Sequence, residues 1–133
     1  MRYLSLPLNP VPASRPRVSK WGTYYGKRHK AYRSKALALL NRMRDRDNLH
    51  NPLSGRLIVW VLFEVERPRK TILETPKPDI DNYLKLLLDC CTGFLWDDDT
   101  QVEIVSSRKC WTTGKGTTHI WIKEINDEDG ETN

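Results

Sequence analysis

The chain has little that would place it in a membrane or cross-link it covalently. No apolar run approaches the roughly 18 residues needed to cross a bilayer, and the longest, Leu57 to Phe63, is strand-sized. The first residues lack the basic-then-apolar order of a secretory signal. Cysteine is sparse. Cys90, Cys91 and Cys110 are odd in number and unpatterned, which predicts neither a disulfide framework nor a CxxC metal site and fits a reducing, cytoplasmic setting. Histidine is equally thin: His29, His50 and His119 are scattered, fit no metal motif, and read as ordinary surface or loop residues. Acid is almost missing from the first third, where residues 1–46 carry twelve Lys and Arg against Asp45 alone.

What is present is ordinary globular material with an uneven charge. At 133 residues, 38% hydrophobic and 29% charged, the chain suits one compact domain with one core. The net charge is +5. Residues 127–133 hold Asp127, Glu128, Asp129 and Glu131 without a base and read as a disordered acidic tail, so the domain proper spans 1–126 and stands near +9. A field of that sign attracts polyanions, nucleic acid above all. The plain alternative is a solvated, soluble surface.

The pattern predicts a mixed α/β (α+β) domain in the order β-α-β-α-β-β. Residues 2–8 alternate, with Leu4, Leu6 and Leu8 on one face of a short strand that Pro7, Pro10 and Pro12 end. Residues 13–30 show no period and read as one long loop of cations, aromatics and glycines. Helical spacing of Tyr32, Ala36, Leu39, Leu40 and Met43 predicts a helix over 31–46. A turn-rich link over 48–55 leads to a buried strand over 56–66 and then a basic, Pro-punctuated loop over 67–78. Pro78 and Asp79 resemble a helix start, the run from Tyr83 to Cys91 is helical, and Gly93 closes it. Residues 101–111 and 117–125 read as two strands joined in a hairpin by Thr-Thr-Gly-Lys-Gly.

Against this basic background two short segments concentrate carboxylates: Lys77-Pro78-Asp79-Ile80-Asp81-Asn82-Tyr83-Leu84-Lys85 and Trp96-Asp97-Asp98-Asp99-Thr100-Gln101. Acids at a helix start are commonly caps or dipole partners, which is the bland reading of Asp79 and Asp81. It explains Asp97, Asp98 and Asp99 less well, because adjacent carboxylates repel unless solvated or neutralised. The helix from Asp81 to Gly93 runs about 18 Å, and residues 93–99 extended retrace roughly 20 Å. One subunit can therefore bring Asp98 or Asp99 back toward Asp79 and Asp81, nearly taut. Such a cluster offers only hard oxygen ligands and suits Mg²⁺ or Mn²⁺ rather than zinc. Lys85, one turn from Asp81, either assists at a developing negative charge or makes a simple ion pair.

These residues resemble the RusA family of Holliday junction resolvases. The resemblance rests on Pro-x-x-Asp-x-Asp-Asn-x-x-Lys, here Pro76 to Lys85, followed by Trp-x-Asp-Asp-x-Gln-Val, here Trp96 to Val102. A second block is the early Arg15-Pro16-Arg17 with Gly22 and Tyr24. The similarity implies that Asp79, Asp81 and Asp99, with Asp98 beside them, are metal-binding catalytic acids and that Lys85 is the functional lysine. It further implies a Mg²⁺-dependent homodimer that cuts a four-way junction symmetrically, leaving 5′-phosphate and 3′-hydroxyl ends. The chain departs from the pattern in Asp97, an acid where the family often has an apolar residue.

Arg15, Arg17, Lys20, Lys27, Arg28 and Lys30 are candidates for the DNA backbone, and Arg67, Arg69 and Lys70 flank the same path. Trp21, Tyr24 and Tyr25 either stack on exposed bases or pin the loop to the domain, and Lys109 points to solvent or phosphate. Three readings follow: a junction-resolving endonuclease, a nuclease for other branched DNA, or a non-catalytic DNA-binding protein whose acids only cap and solvate.

Overall fold

The computed structural model describes residues 1–46 and 51–126, so His50, the start of the 48–55 link and the acidic tail lie outside the described residues. Strand β4 (Leu57–Glu66) organises the rest. Its side chains alternate between buried and half-buried along nearly the whole length, because a strand turns successive residues to opposite faces. Leu57, Val59, Val61, Phe63 and Val65 face two helices, α1 (Lys27–Arg46) and α2 (Ile80–Cys91). From α1 come Tyr32, Ala36 and Leu40; from α2 come Tyr83, Leu86, Leu87, Cys90 and Cys91, with Tyr83 stacked on Phe63 at 5.4 Å. Each apolar side chain so buried contributes about 1.5–3 kcal/mol.

The four-stranded sheet runs β1-β6-β4-β5, with β1 at Arg2–Leu6, β5 at Val102–Thr112 and β6 at Thr117–Glu124. β5 lies parallel to β4, and α2 makes the crossover that a parallel pair requires. β6 lies antiparallel to β4 on its other side and to β1. The expected hairpin between residues 101–111 and 117–125 is thus corrected: both strands exist, but β4 stands between them. Its apolar run is continuous from Leu57 to Phe63, as suits a central strand with a partner on each edge, and residues 113–116 cross over its end instead of closing a tight turn. Gly116 donates its N–H to Glu66 at that crossing, and there is no room for a side chain: a Cβ would stand 2.5 Å from Asn9.

The loop read over 13–30 is also corrected. It contains a two-stranded hairpin, β2 (Arg17–Ser19) and β3 (Gly22–Tyr24), and α1 begins at Lys27 rather than at 31. The hairpin is exposed at every residue, so burial left no period to read, and Gly22 supplies the positive φ of its turn. His29 and His119 are not ordinary surface residues either. His29 is buried in the first turn of α1, and His119 sits in β6 between Tyr3 and Glu64.

Candidate active site and nucleic-acid interface

Asp79 occupies the N-cap position of α2, but its side chain makes no capping hydrogen bond. The capping interpretation of that acid therefore lacks its defining contact, and the exposed carboxylate is uncommitted. Asp81 follows in the first turn, equally exposed, and Lys85 and Asp89 continue the same face at intervals of about 6 Å along the axis. The loop before them is braced from β5. Lys109 donates to the carbonyl oxygens of Pro76 at 2.6 Å and Pro78 at 2.7 Å, and Trp111 donates its indole N–H to Leu73 at 2.9 Å. Lys109 thus points to neither open solvent nor phosphate; it fastens the segment that carries Asp79.

The second acidic segment returns from the far end of α2 along a pinned path. Gly93 turns the chain at φ 91°, its N–H meets the Trp96 carbonyl, and fully buried Trp96 donates its indole N–H to Thr92. Its three acids then part company. Asp97 is exposed. Asp98 caps a short 3₁₀ turn, Asp99–Gln101, accepting from the Thr100 N–H at 3.0 Å while Gln101 accepts from the Asp98 N–H in a reciprocal box. The Gln101 amide also donates to Leu53 and Gly55, which bolts the motif to the start of β4. Asp99 lines a cleft of about 160 Å³ with Lys85 and Asp89 on α2 and with Ser14, Tyr25 and His29 opposite. The Thr100 N–H holds the Asp98 carboxyl below the usual range, whereas the adjoining Asp98 carboxyl, with Asp89 adding charge, raises Asp99.

The structure thus joins Lys85 to Asp99, with Asp89 as a further acid, while Asp79 and Asp81 stand at the N-terminal end of the same helix. Among the described residues, no group of three or more acid, His or Cys side chains is gathered closely enough to hold a metal ion. The donor set nonetheless suits a hard divalent cation. Its candidate ligands are all carboxylate oxygens, the hard donors such an ion takes.

A basic surface surrounds the cleft. The strap before the hairpin is tied to α2 by the Ala13 N–H to the Asn82 carbonyl at 2.8 Å, which brings Arg15 and the hairpin beside the acidic motif. Arg17, Lys20, Trp21 and Tyr24 are exposed on that hairpin, with the Lys20 ammonium 5.1 Å over the Trp21 ring. Lys27, Arg28 and Lys30 are exposed in the first turns of α1, which has no acid there at all. Cations at the positive end of a helix dipole oppose helix stability and favour an anion. Arg67, Arg69 and Lys70 are exposed on the loop before α2. Tyr25 pins the structure instead, stacking on His29 at 4.3 Å.

Sequence reasoning missed Asp89, His29 and Ser14 as parts of this site. Asp89 could have been found from its spacing of four from Lys85; the others depend on contacts between segments far apart in the chain.

The family model described as Endodeoxyribonuclease RusA matches residues 7–123. The chain belongs to the RusA family. Both acidic segments, the Arg-Pro-Arg strap and the hairpin fall inside the match. Membership makes this RusA chain an endodeoxyribonuclease of the Holliday junction resolvase class, a hydrolase acting on DNA. None of the curated proteins compared with it matches. No helix among its described residues is long and apolar enough to cross a membrane.

Proposed function

We propose that the chain resolves four-way DNA junctions as a divalent-metal-dependent nuclease, with Asp79, Asp81 and Asp99 holding Mg²⁺, or Mn²⁺ in its place. The observation that carries this reading is the exposed, uncapped carboxylate of Asp79 on the helix whose Lys85 meets Asp99 in one cleft. A bound divalent ion would neutralise charge on the phosphate and acidify its water so that it attacks near neutral pH.

The chain's own side chains supply the rest. Lys85 places a positive charge where negative charge develops on the phosphate oxygens. Asp98, already committed to its cap, holds the turn that presents Asp99. The cations at 15, 17, 20, 27, 28 and 30 on one side, and at 67, 69 and 70 on the other, hold the DNA backbone, and Trp21 and Tyr24 stack on bases opened at the branch point. Two copies paired about a two-fold axis would present two clefts to one junction and cut it symmetrically.

The test is cleavage of a labelled four-way junction and a matched linear duplex by purified protein in Mg²⁺ and in EDTA. Paired symmetric nicks on the junction alone, lost in EDTA, are expected, together with loss of cutting but retained junction binding in Asp81→Asn. Full cleavage by Asp81→Asn would sink the site assignment, and metal-independent binding without cutting would leave a DNA-binding protein.

A further inference from the structure

On the wall opposite Lys85, His29 uses only half of its hydrogen-bonding capacity among the described residues. Its Nδ1 accepts the backbone N–H of Ser14 at 3.1 Å, so in the neutral ring the proton sits on Nε2. No protein group among the described residues takes that proton in a hydrogen bond. The residue is only 6% exposed, and what it shows lines the cleft shared with Lys85, Asp89 and Asp99. The ring cannot turn freely. Tyr25 covers one face at 4.3 Å, and Ser14 is itself fixed by accepting the Gly26 N–H through its hydroxyl at 3.0 Å.

The Nε2 atom is not sealed from solvent, so in the free protein this oriented donor meets water in the cleft, and a ligand oxygen entering there can take the water's place. An acceptor that replaces that water must suit a cleft at the unopposed positive end of α1, beside Lys85. Among the described residues neither wall acid takes that proton, and Asp89 is paired with Arg33 at 3.1 Å. Burial lowers the imidazole below its ordinary range, with Asp89 opposing and Arg33 and Lys85 reinforcing, which keeps the ring a neutral donor near pH 7. A neutral donor can meet a phosphate without an ion pair to the neighbouring acids.

We propose that His29 touches the DNA in this cleft, its Nε2–H donating to a non-bridging oxygen of the phosphodiester that Lys85 faces from the other side. The inference rests on the nuclease reading above and adds a substrate-binding residue to it. His29 then has two separable duties, latching Ser14 through Nδ1 and holding the phosphate through Nε2.

Two substitutions divide those duties. His29→Asn keeps an acceptor near the position of Nδ1 and lacks the far donor, whereas His29→Gln carries an amide donor out to the position of Nε2. Wild type and both variants are compared in single-turnover junction cleavage with Mg²⁺, in junction binding with EDTA, and in thermal melting. The expected result is a similar, small fall in melting temperature in both variants, from loss of the ring that stacks on Tyr25, with cleavage reduced about 10²-fold in His29→Asn, as for loss of one oriented donor to the reacting group, and partly recovered in His29→Gln. Wild-type cleavage by His29→Asn overturns the inference and leaves the nuclease reading intact. Equal losses of cleavage in both variants, following that fall in melting temperature, also overturn it, reducing His29 to a latch. A wild-type protein that cuts nothing overturns the nuclease reading and this inference with it. Long-range ¹H–¹⁵N spectra of the wild type add a readout independent of turnover and of variant folding. The Nε2 resonance should carry the proton and shift when junction is added in EDTA; an unmoved resonance counts against the contact.

Discussion

At the scale of single residues, adjacent identical side chains do different work. Asp98 spends its carboxylate on the Thr100 N–H, and Asp99 turns into the cleft. Asp98→Ala should lower the melting temperature by a few degrees, through loss of the cap, and leave substantial junction cleavage. Asp99→Asn should do the reverse, with melting unchanged and cleavage down at least about 10²-fold. Melting curves and cleavage rates on the same preparations check both, and a swap of the two phenotypes would overturn the assignment. Lys109 gives a second case. Lys109→Met leaves the Pro76 and Pro78 carbonyls without their ammonium, a loss of about 1.5–3 kcal/mol for hydrogen bonds to a charged group. Because those carbonyls immediately precede Asp79, cleavage should fall further than stability does; unaffected cleavage would show that the loop holds itself.

At the scale of elements, the two acidic segments were legible because their signal is local. A proline, an acid and a run of Leu and Cys announce α2 wherever it packs, and Asp-Asp-x-Gln closes its box within four neighbours. The β2–β3 hairpin was not legible, since three-residue strands with no buried face carry no period. Sheet order was hidden for a different reason. β5 and β6 are neighbours in sequence joined by glycines, and it is the continuous apolar run of β4, a long way upstream, that takes the place between them. The crossing this forces can be tested at Gly116. Gly116→Ala drives a Cβ into the backbone and side chain of Asn9 and should cost about 1–3 kcal/mol as overpacking. Gly55→Ala, whose new Cβ would meet only Glu124 at 3.9 Å, serves as the control and should melt close to wild type. Equal melting of the two variants would argue against the tight crossing.

At the scale of the whole molecule, the core holds several acids in their neutral form. Burial pushes the Cys90 thiol up from 9.0 to about 12, and raises Cys91, Tyr32 and Tyr83 as well. Each group keeps its proton in the folded state to a higher pH than in the unfolded chain. The stability they contribute is therefore complete below about pH 9 and drains away as pH climbs toward 12 and beyond. Denaturant melts at a series of alkaline pH values should show a midpoint falling steadily across that window, and a flat profile would contradict it.

The short segment that returns from the end of α2 also has a meaning for how this chain can vary. Gly93 and Trp96 fix where it begins, and Gln101 fixes where it ends. The span between them works as a ruler cut to length. One residue added or removed there would displace Asp99 by roughly 3.3 Å, enough to move it out of the cleft it shares with Lys85. Homologous chains that keep this chemistry should therefore differ freely in the hairpin tip or the tail and hardly ever in the number of residues between that glycine and that glutamine.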